Sequence, residues 1–376
     1  MTTYLDCNAT TPVEPEVRDL VLRFMVEEYG NAGSRTHDFG LRAQQAVQHA
    51  RDQVAAVVDA KRDEVIFTSG ATEANNLALL GLAAHGEKTG RRHLISTQIE
   101  HKAVLEPLEA LAARGFEVTL LPPTSGGWVE ADAVAAALRP DTLLVSVMQA
   151  NNETGILQPI DAICTNLADH PTYFHVDAAQ GFGKDLGPLR NKRIDLISVS
   201  GHKLYAPKGI GALVTRRRGF ERVPLSALMF GGGQERGLRP GTIPVPLAVG
   251  LGLAADLAQR DVVHRTAKVR AIRESAFSAL AHLNPQWNGD PARALPHVLN
   301  LSLPGLDSEA VMLAWKGVAA ISNGSACTSH SYAPSHVLLA MGLDGERVRG
   351  ALRISWCHLT EDVNWQEMVN AVRRLQ

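Results

Sequence analysis

Cysteine is scarce in this chain. Four occur in 376 residues, at positions 7, 164, 327 and 357, and no CxxC pair is present. That spacing offers neither a zinc site nor a disulfide framework. It fits a cytoplasmic protein with reduced thiols. An excess of one charge is missing too: 37 Lys and Arg stand against 39 Asp and Glu, a net charge of −2. Neither direct nucleic-acid binding nor a membrane-binding surface is expected from that balance. No apolar run approaches the ~20 residues of a membrane span. The start, Met1-Thr2-Thr3-Tyr4-Leu5-Asp6, lacks the segments of a signal peptide. Internal repeats and low-complexity tracts are also absent.

What remains is the composition of a globular enzyme, 45% hydrophobic and 20% charged. The length suits one large and one small domain. From Glu64 to about Val214, short β-rich runs alternate with helical segments. Val65–Thr68 leads to a helix from Thr72, His93–Ser96 to one from His101, and Phe116–Leu120 to one near Glu130. Leu143–Val147 leads to one near Pro159. This alternation predicts a mostly parallel sheet covered by helices. Ligands of such sheets sit beyond the carboxyl ends of the strands. A Gly- and Pro-rich stretch, residues 231–246, breaks the pattern. A long helical region, about 247–283, follows. Then come a strand at His297–Leu301, a helix from Ser308, a strand at Gly350–Ser355 and a final helix from Thr360. The expected division is a large domain, 15–255, and a small α+β domain, 1–14 with 256–376.

Chemistry-bearing residues cluster at the expected strand ends. Ser200-Gly201-His202-Lys203 follows the apolar run Ile194–Val199. A lysine there is either a surface residue after a strand or placed to hold a carbonyl cofactor such as pyridoxal phosphate as a Schiff base, with Ser200 and His202 on its phosphate. Upstream, His175-Val176-Asp177-Ala178-Ala179-Gln180 puts an Asp at a strand end. Asp177 either keeps a pyridine nitrogen protonated or caps a helix; Gln180 can reach the ring's phenolic oxygen. Ser69-Gly70-Ala71-Thr72-Glu73 joins a strand to a helix and reads as a phosphate loop or a plain cap. His101 stacks on the ring and shuttles protons, or is structural. Asn152 binds cofactor or substrate carboxylate, or belongs to a tight turn. Arg353, flanked by apolar residues, clamps a carboxylate or forms an internal ion pair. Cys327 lies in a small, polar run, 322–331, near His330, where a thiol can ionise and act as nucleophile. The other three cysteines sit in mixed or apolar settings and read as core filler.

These residues together resemble the cysteine desulfurases of the pyridoxal-phosphate-dependent class V aminotransferase superfamily. Tyr4-Leu5-Asp6, Gly30-Asn31 to His37, Asn151-Asn152-Glu153, Gly231 to Glu235, Arg239 to Thr242 and Gly324 to Cys327 complete the likeness. It covers nearly the whole chain. The whole chain is most similar to the branch supplying sulfur for DNA phosphorothioate modification. The family's Asn-Pro-Ser-Ser-x-His is replaced here by Asn31-Ala32-Gly33-Ser34-Arg35-Thr36-His37.

The resemblance implies an α/β, aspartate-aminotransferase-like (type I) fold, with a mostly parallel seven-stranded sheet and a cysteine loop at about 322–333 on the small domain. It implies a homodimer with sites at the interface. Lys203 would hold the cofactor, Asp177 and Gln180 its ring, and His101 would stack on it. Ala71, Thr72, Ser200 and His202 would surround the phosphate, joined by Thr242 of the other chain. Asn152 and Arg353 would bind substrate. L-cysteine would become L-alanine, with sulfur carried as a persulfide on Cys327 to an acceptor protein. That acceptor would serve DNA phosphorothioation, or else iron–sulfur clusters or tRNA thiolation. An aminotransferase or lyase that never uses Cys327 stays open, and so does a non-catalytic scaffold.

Overall fold

A computed structural model describes residues 2–323 and 334–375. The first half runs β1 (Thr3–Tyr4), α1 (Pro15–Val26), α2 (Asp38–Val57), β2 (Val65–Thr68), α3 (Ala71–Leu80), α4 (Ala83–Thr89), β3 (His93–Thr97), α5 (Lys102–Ala112), β4 (Glu117–Leu121), α6 (Ala131–Ala136), β5 (Thr142–Met148), α7 (Ile160–Asn166) and β6 (Tyr173–Asp177). The second half runs β7 (Leu196–Ser200), β8 (Gly211–Thr215), α8 (Val245–Arg260), α9 (Val262–Leu280), β9 (Gln286–Trp287), β10 (Val298–Ser302), α10 (Ser308–Ala314), β11 (Ala319–Ala320), α11 (His336–Ala340), α12 (Gly345–Arg349), β12 (Ala351–Ser355) and α13 (Trp365–Arg373).

The central sheet has seven strands in the order β2-β8-β7-β6-β5-β3-β4, and β8 alone runs against the rest. Its middle strands are continuous apolar runs. Every residue of β5, Thr-Leu-Leu-Val-Ser-Val-Met, is buried, as expected for a strand covered by helices on both faces. The sheet is therefore the mostly parallel, helix-covered kind that the alternating pattern predicted.

Helices α1 and α2 precede the sheet and carry little mark in the sequence. The buried stripe of α2, Ala43, Val47, Ala50 and Val54, has helical spacing but is half alanine, so it reads weakly in sequence. It packs against α8, and the contact depends on a missing side chain. A Cβ at Gly252 would lie 2.6 Å from the Ala50 Cα. The long helical region is two helices, broken at Asp261. All of α8 belongs to the large core, so the division expected at 255 cuts through it. The last helix starts at Trp365, not Thr360. Thr360 Oγ1 instead accepts the Cys357 N–H (2.9 Å), closing a turn before the Asn364 cap.

The smaller core gathers Leu5 with Leu280, Leu299, Trp315, Leu352, Ile354, Trp356 and Met368 around the antiparallel sheet β12-β10-β9. Here β1 joins from the far end of the sequence by pairing parallel to β11. Among the described residues, no helix is long and apolar enough to cross a membrane.

Candidate active site

Five strands of the large sheet, β2, β3, β5, β6 and β7, end at one side of a cavity of about 670 Å³. The loops after them, with the segment before α1 and a residue of β12, supply its walls. Lys203, Asp177, Gln180, Ser200, His202, Ala71, Thr72, His101, Asn152 and Arg353 all line it. Thr242 does not. It lies in a separate hollow of about 380 Å³, with Asn31, Arg51 and Glu235. Cys327 falls outside the described residues.

Asp177 ends β6 and starts no helix. Its Oδ2 accepts from Asn75 Nδ2 (2.7 Å) and its Oδ1 from the Ala179 N–H (2.9 Å). The carboxylate is buried and fixed by two donors, with lone pairs to spare for a third. Lys203 stands just beyond β7. Its Nζ donates to the Asn8 carbonyl and to the Ala9 carbonyl (2.6 Å). Asn8 O also receives Gln180 Nε2 (3.0 Å). Asn8 and Asn75 thus organise the site, yet no role was read for them in the sequence. Asn75 sits one helical turn beyond Ala71-Thr72, a cue on the same face. Asn8 lies two residues past the matched Tyr4-Leu5-Asp6, with nothing local to mark it.

His101 caps α5. Its Nδ1 accepts the Ala103 N–H (3.0 Å), so the neutral ring carries its proton on Nε2. The preceding residue, Glu100, is fully buried. Its Oε1 accepts from Thr97 Oγ1 (2.8 Å) and the Met148 N–H (2.9 Å), and burial pushes its carboxyl up to about 8. It therefore stays neutral beside Asp177. His202 goes the other way. Burial first, then Lys203, Lys208 and Lys184, push its imidazole down to about 4. It is a neutral group at pH 7, with Nδ1 3.1 Å from Thr10 Oγ1.

Arg353 makes the internal ion pair, Nη2 to Asp6 Oδ1 at 2.7 Å, and Nη1 donates to the Asn152 carbonyl (3.0 Å). Its Nε has no partner among the described residues. The start of α3 carries no side-chain cap. Its nearest acid, Glu73, is turned aside to Arg239 (2.8 Å) and the Ser69 N–H (2.7 Å). Burial resists ionisation of Glu73, but those bonds outweigh it and lower its pKa. The helix start is left to face the cavity.

Such a site fits an anionic, aromatic cofactor. An uncapped helix start suits a phosphate. Buried Asn8 Oδ1, Asn75 Oδ1 and Gln180 Oε1 have no partner among the described residues, and buried polar atoms of that kind call for one. The class V aminotransferase pattern matches residues 3–366. The chain belongs to the class V aminotransferases. This family uses pyridoxal phosphate, and the relatives of this class V chain are cysteine desulfurases. IscS of Methylococcus capsulatus is 46% identical over 96% of this chain and 90% of its own length. DndA from Streptomyces lividans, a crystal structure, is 53% identical over 94% of this chain and 99% of its own, with a TM-score of 0.83. SspA, solved in complex with cysteine, is 36% identical over 96% of this chain and 100% of its own, also at 0.83.

Proposed function

We propose that this chain converts L-cysteine to L-alanine and passes the sulfur, as a persulfide on Cys327, to an acceptor protein. The observation that carries the reading is the meeting of Lys203, Asp177, His101 and Arg353 in one cavity. Pyridoxal phosphate, when bound, supplies an electron sink for the substrate Cα. Lys203 would hold the cofactor's carbonyl carbon, and its amine, once released, would be free to act as a base. Asp177, fixed by Asn75, keeps a ring nitrogen protonated. Gln180 meets the phenolic oxygen. The amides opening α3, with Thr72, Ser200 and neutral His202, donate to the phosphate. Arg353 and Asn152 receive the substrate carboxylate. Lys203 or His101 takes the Cα proton. The Cys327 thiolate attacks the substrate sulfur, the Cβ–S bond breaks, and Cβ is protonated to give alanine.

The protein acts as a homodimer in this reading. Thr242, away from its own chain's cavity, serves the partner's phosphate. The acceptor is a DNA-phosphorothioation protein, on the strength of the whole-chain resemblance.

Lys203→Ala should abolish alanine formation and remove the visible absorbance of bound cofactor. Cys327→Ser should still bind cofactor and cysteine but release no alanine, because a hydroxyl is far less nucleophilic than a thiolate. Wild-type protein given cysteine without reductant should carry one extra sulfur on the Cys327 peptide by mass spectrometry. Sulfur on Cys7, Cys164 or Cys357 instead, or normal turnover in the serine variant, would replace this mechanism with an aminotransferase or lyase.

A further inference from the structure

Two residues of the small domain reach into the loops that carry His101 and Asn152. Ser335 caps α11 by accepting the Leu338 N–H (3.1 Å), and its hydroxyl donates to Glu153 Oε2 (2.5 Å). His336, the next residue, places Nε2 3.0 Å from the Glu100 carbonyl oxygen. Each contact falls one residue from a site residue: Glu153 beside Asn152, Glu100 beside His101. The packing beneath agrees. Val337, Leu338 and Met341 bury against Ile99 and Ala351. Asn151 Nδ2 ties the two loops together through the Ile99 carbonyl (3.0 Å). On its other side, Glu153 accepts Asn300 Nδ2 at its carbonyl (3.0 Å).

Glu153 is almost wholly buried. A carboxyl in that position needs a hydrogen-bond partner, and leaving it without one is costly. Ser335 supplies it. The hydroxyl meets two needs at once, the helix cap and the buried acid. A purely structural cap has no need of the second.

We propose that Ser335 and His336 are positioning residues, a two-point clamp that sets the Asn152 and His101 loops for substrate binding and proton transfer. The proposal rests on the cysteine-desulfurase reading for its kinetic consequences and on geometry alone for its structural ones. The two points act on different residues, so their loss separates. Ser335→Ala should raise KM for L-cysteine about tenfold with kcat little changed, the effect of leaving one buried carboxyl without its hydrogen-bond partner behind a binding residue. His336→Ala should lower kcat with KM little changed. Ser335→Thr and His336→Gln, which keep a donor at each point, should restore most of the loss.

The experiment pairs steady-state kinetics of the holoenzyme with hydrogen exchange on the cofactor-free protein. Exchange should rise in peptides covering residues 97–103 and 149–155, and for Ser335→Ala also at the start of α11, where the cap is lost, and stay level elsewhere. His336 is only partly buried, so its alanine variant serves if Ser335→Ala does not fold. Unchanged exchange in those two peptides overturns the clamp. So do kinetic constants that follow global stability in the alanine variants and are not restored by threonine or glutamine. If wild-type protein makes no alanine from cysteine, the desulfurase reading fails, while the exchange result still decides the clamp.

Discussion

At the scale of single residues, the site is governed by which groups are kept neutral. Glu100 holds its proton to about pH 8 because burial opposes its charge. A second anion beside Asp177 would add like-charge repulsion within the site. The consequence for stability has a definite sign. The folded protein binds a proton at Glu100 that the unfolded chain releases near its ordinary 4.5. The contribution is complete below that value and is lost as pH rises toward about 8. Glu100→Gln keeps an acceptor for Thr97 and Met148. Urea unfolding should show wild type losing stability relative to the glutamine variant across that window, and a constant difference above it. A flat difference from pH 4 to 9 would mean Glu100 titrates normally. What the sequence disclosed here follows the same physics. Asp177 and Lys203 were legible because each ends an apolar run, where a charged residue has few structural uses. Asn75, Asn8 and the Asp6 partner of Arg353 were not. They act through bonds spanning 102, 195 and 347 positions, and no local pattern encodes a distant partner.

Among the elements, the join between β2 and α3 sets where a phosphate can sit. The antiparallel strand β8 presses against it. A Cβ on Gly211 would lie 2.6 Å from Gly70 Cα and 2.4 Å from the Val199 carbonyl oxygen. Both neighbours are backbone and cannot swing away. Gly211→Ala should destabilise the protein by about 1–3 kcal/mol, the usual cost of overpacking, and should weaken cofactor binding by displacing the Gly70 turn. Denaturant unfolding and a cofactor titration measure the two effects. Full cofactor affinity in a destabilised variant would show the turn moves independently of β8. Strand positions were read well because a buried parallel sheet spells itself in apolar runs. The direction of β8 was not legible, since pairing sense depends on the neighbour strand. Nor were α1, which leaves Leu22, Met25 and Val26 exposed beside its buried Val17 and Val21, and α2, whose inner stripe is half alanine.

Across the whole molecule, one short segment belongs to everything. Leu5 is fully buried in the small core, and Asp6 pairs with Arg353 of β12. Asn8 receives Lys203 and Gln180, and Thr11 Oγ1 donates to the His202 carbonyl (3.1 Å). Leu5→Ala should cost about 2–5 kcal/mol, as other large-to-small core changes do. It should also weaken cofactor binding, although Leu5 is not among the residues lining the cavity, because it anchors the segment that runs on to Asn8. Equal loss of stability with unchanged cofactor affinity would separate the core from the site.

That segment has a consequence for how the enzyme comes into being. Residues 3–11 leave the ribosome early, while β11 and β12 are made more than 300 positions later. At the usual rates of translation the wait is on the order of 20–70 s. By its later part the lysine, the aspartate and the helix start exist, but β11 and β12, against which residues 3–6 lie, do not. A half-made chain has no finished pocket in which to hold a reactive aldehyde or strip sulfur from cysteine. Activity begins only when β11 and β12 arrive and take up the segment at residues 3–11.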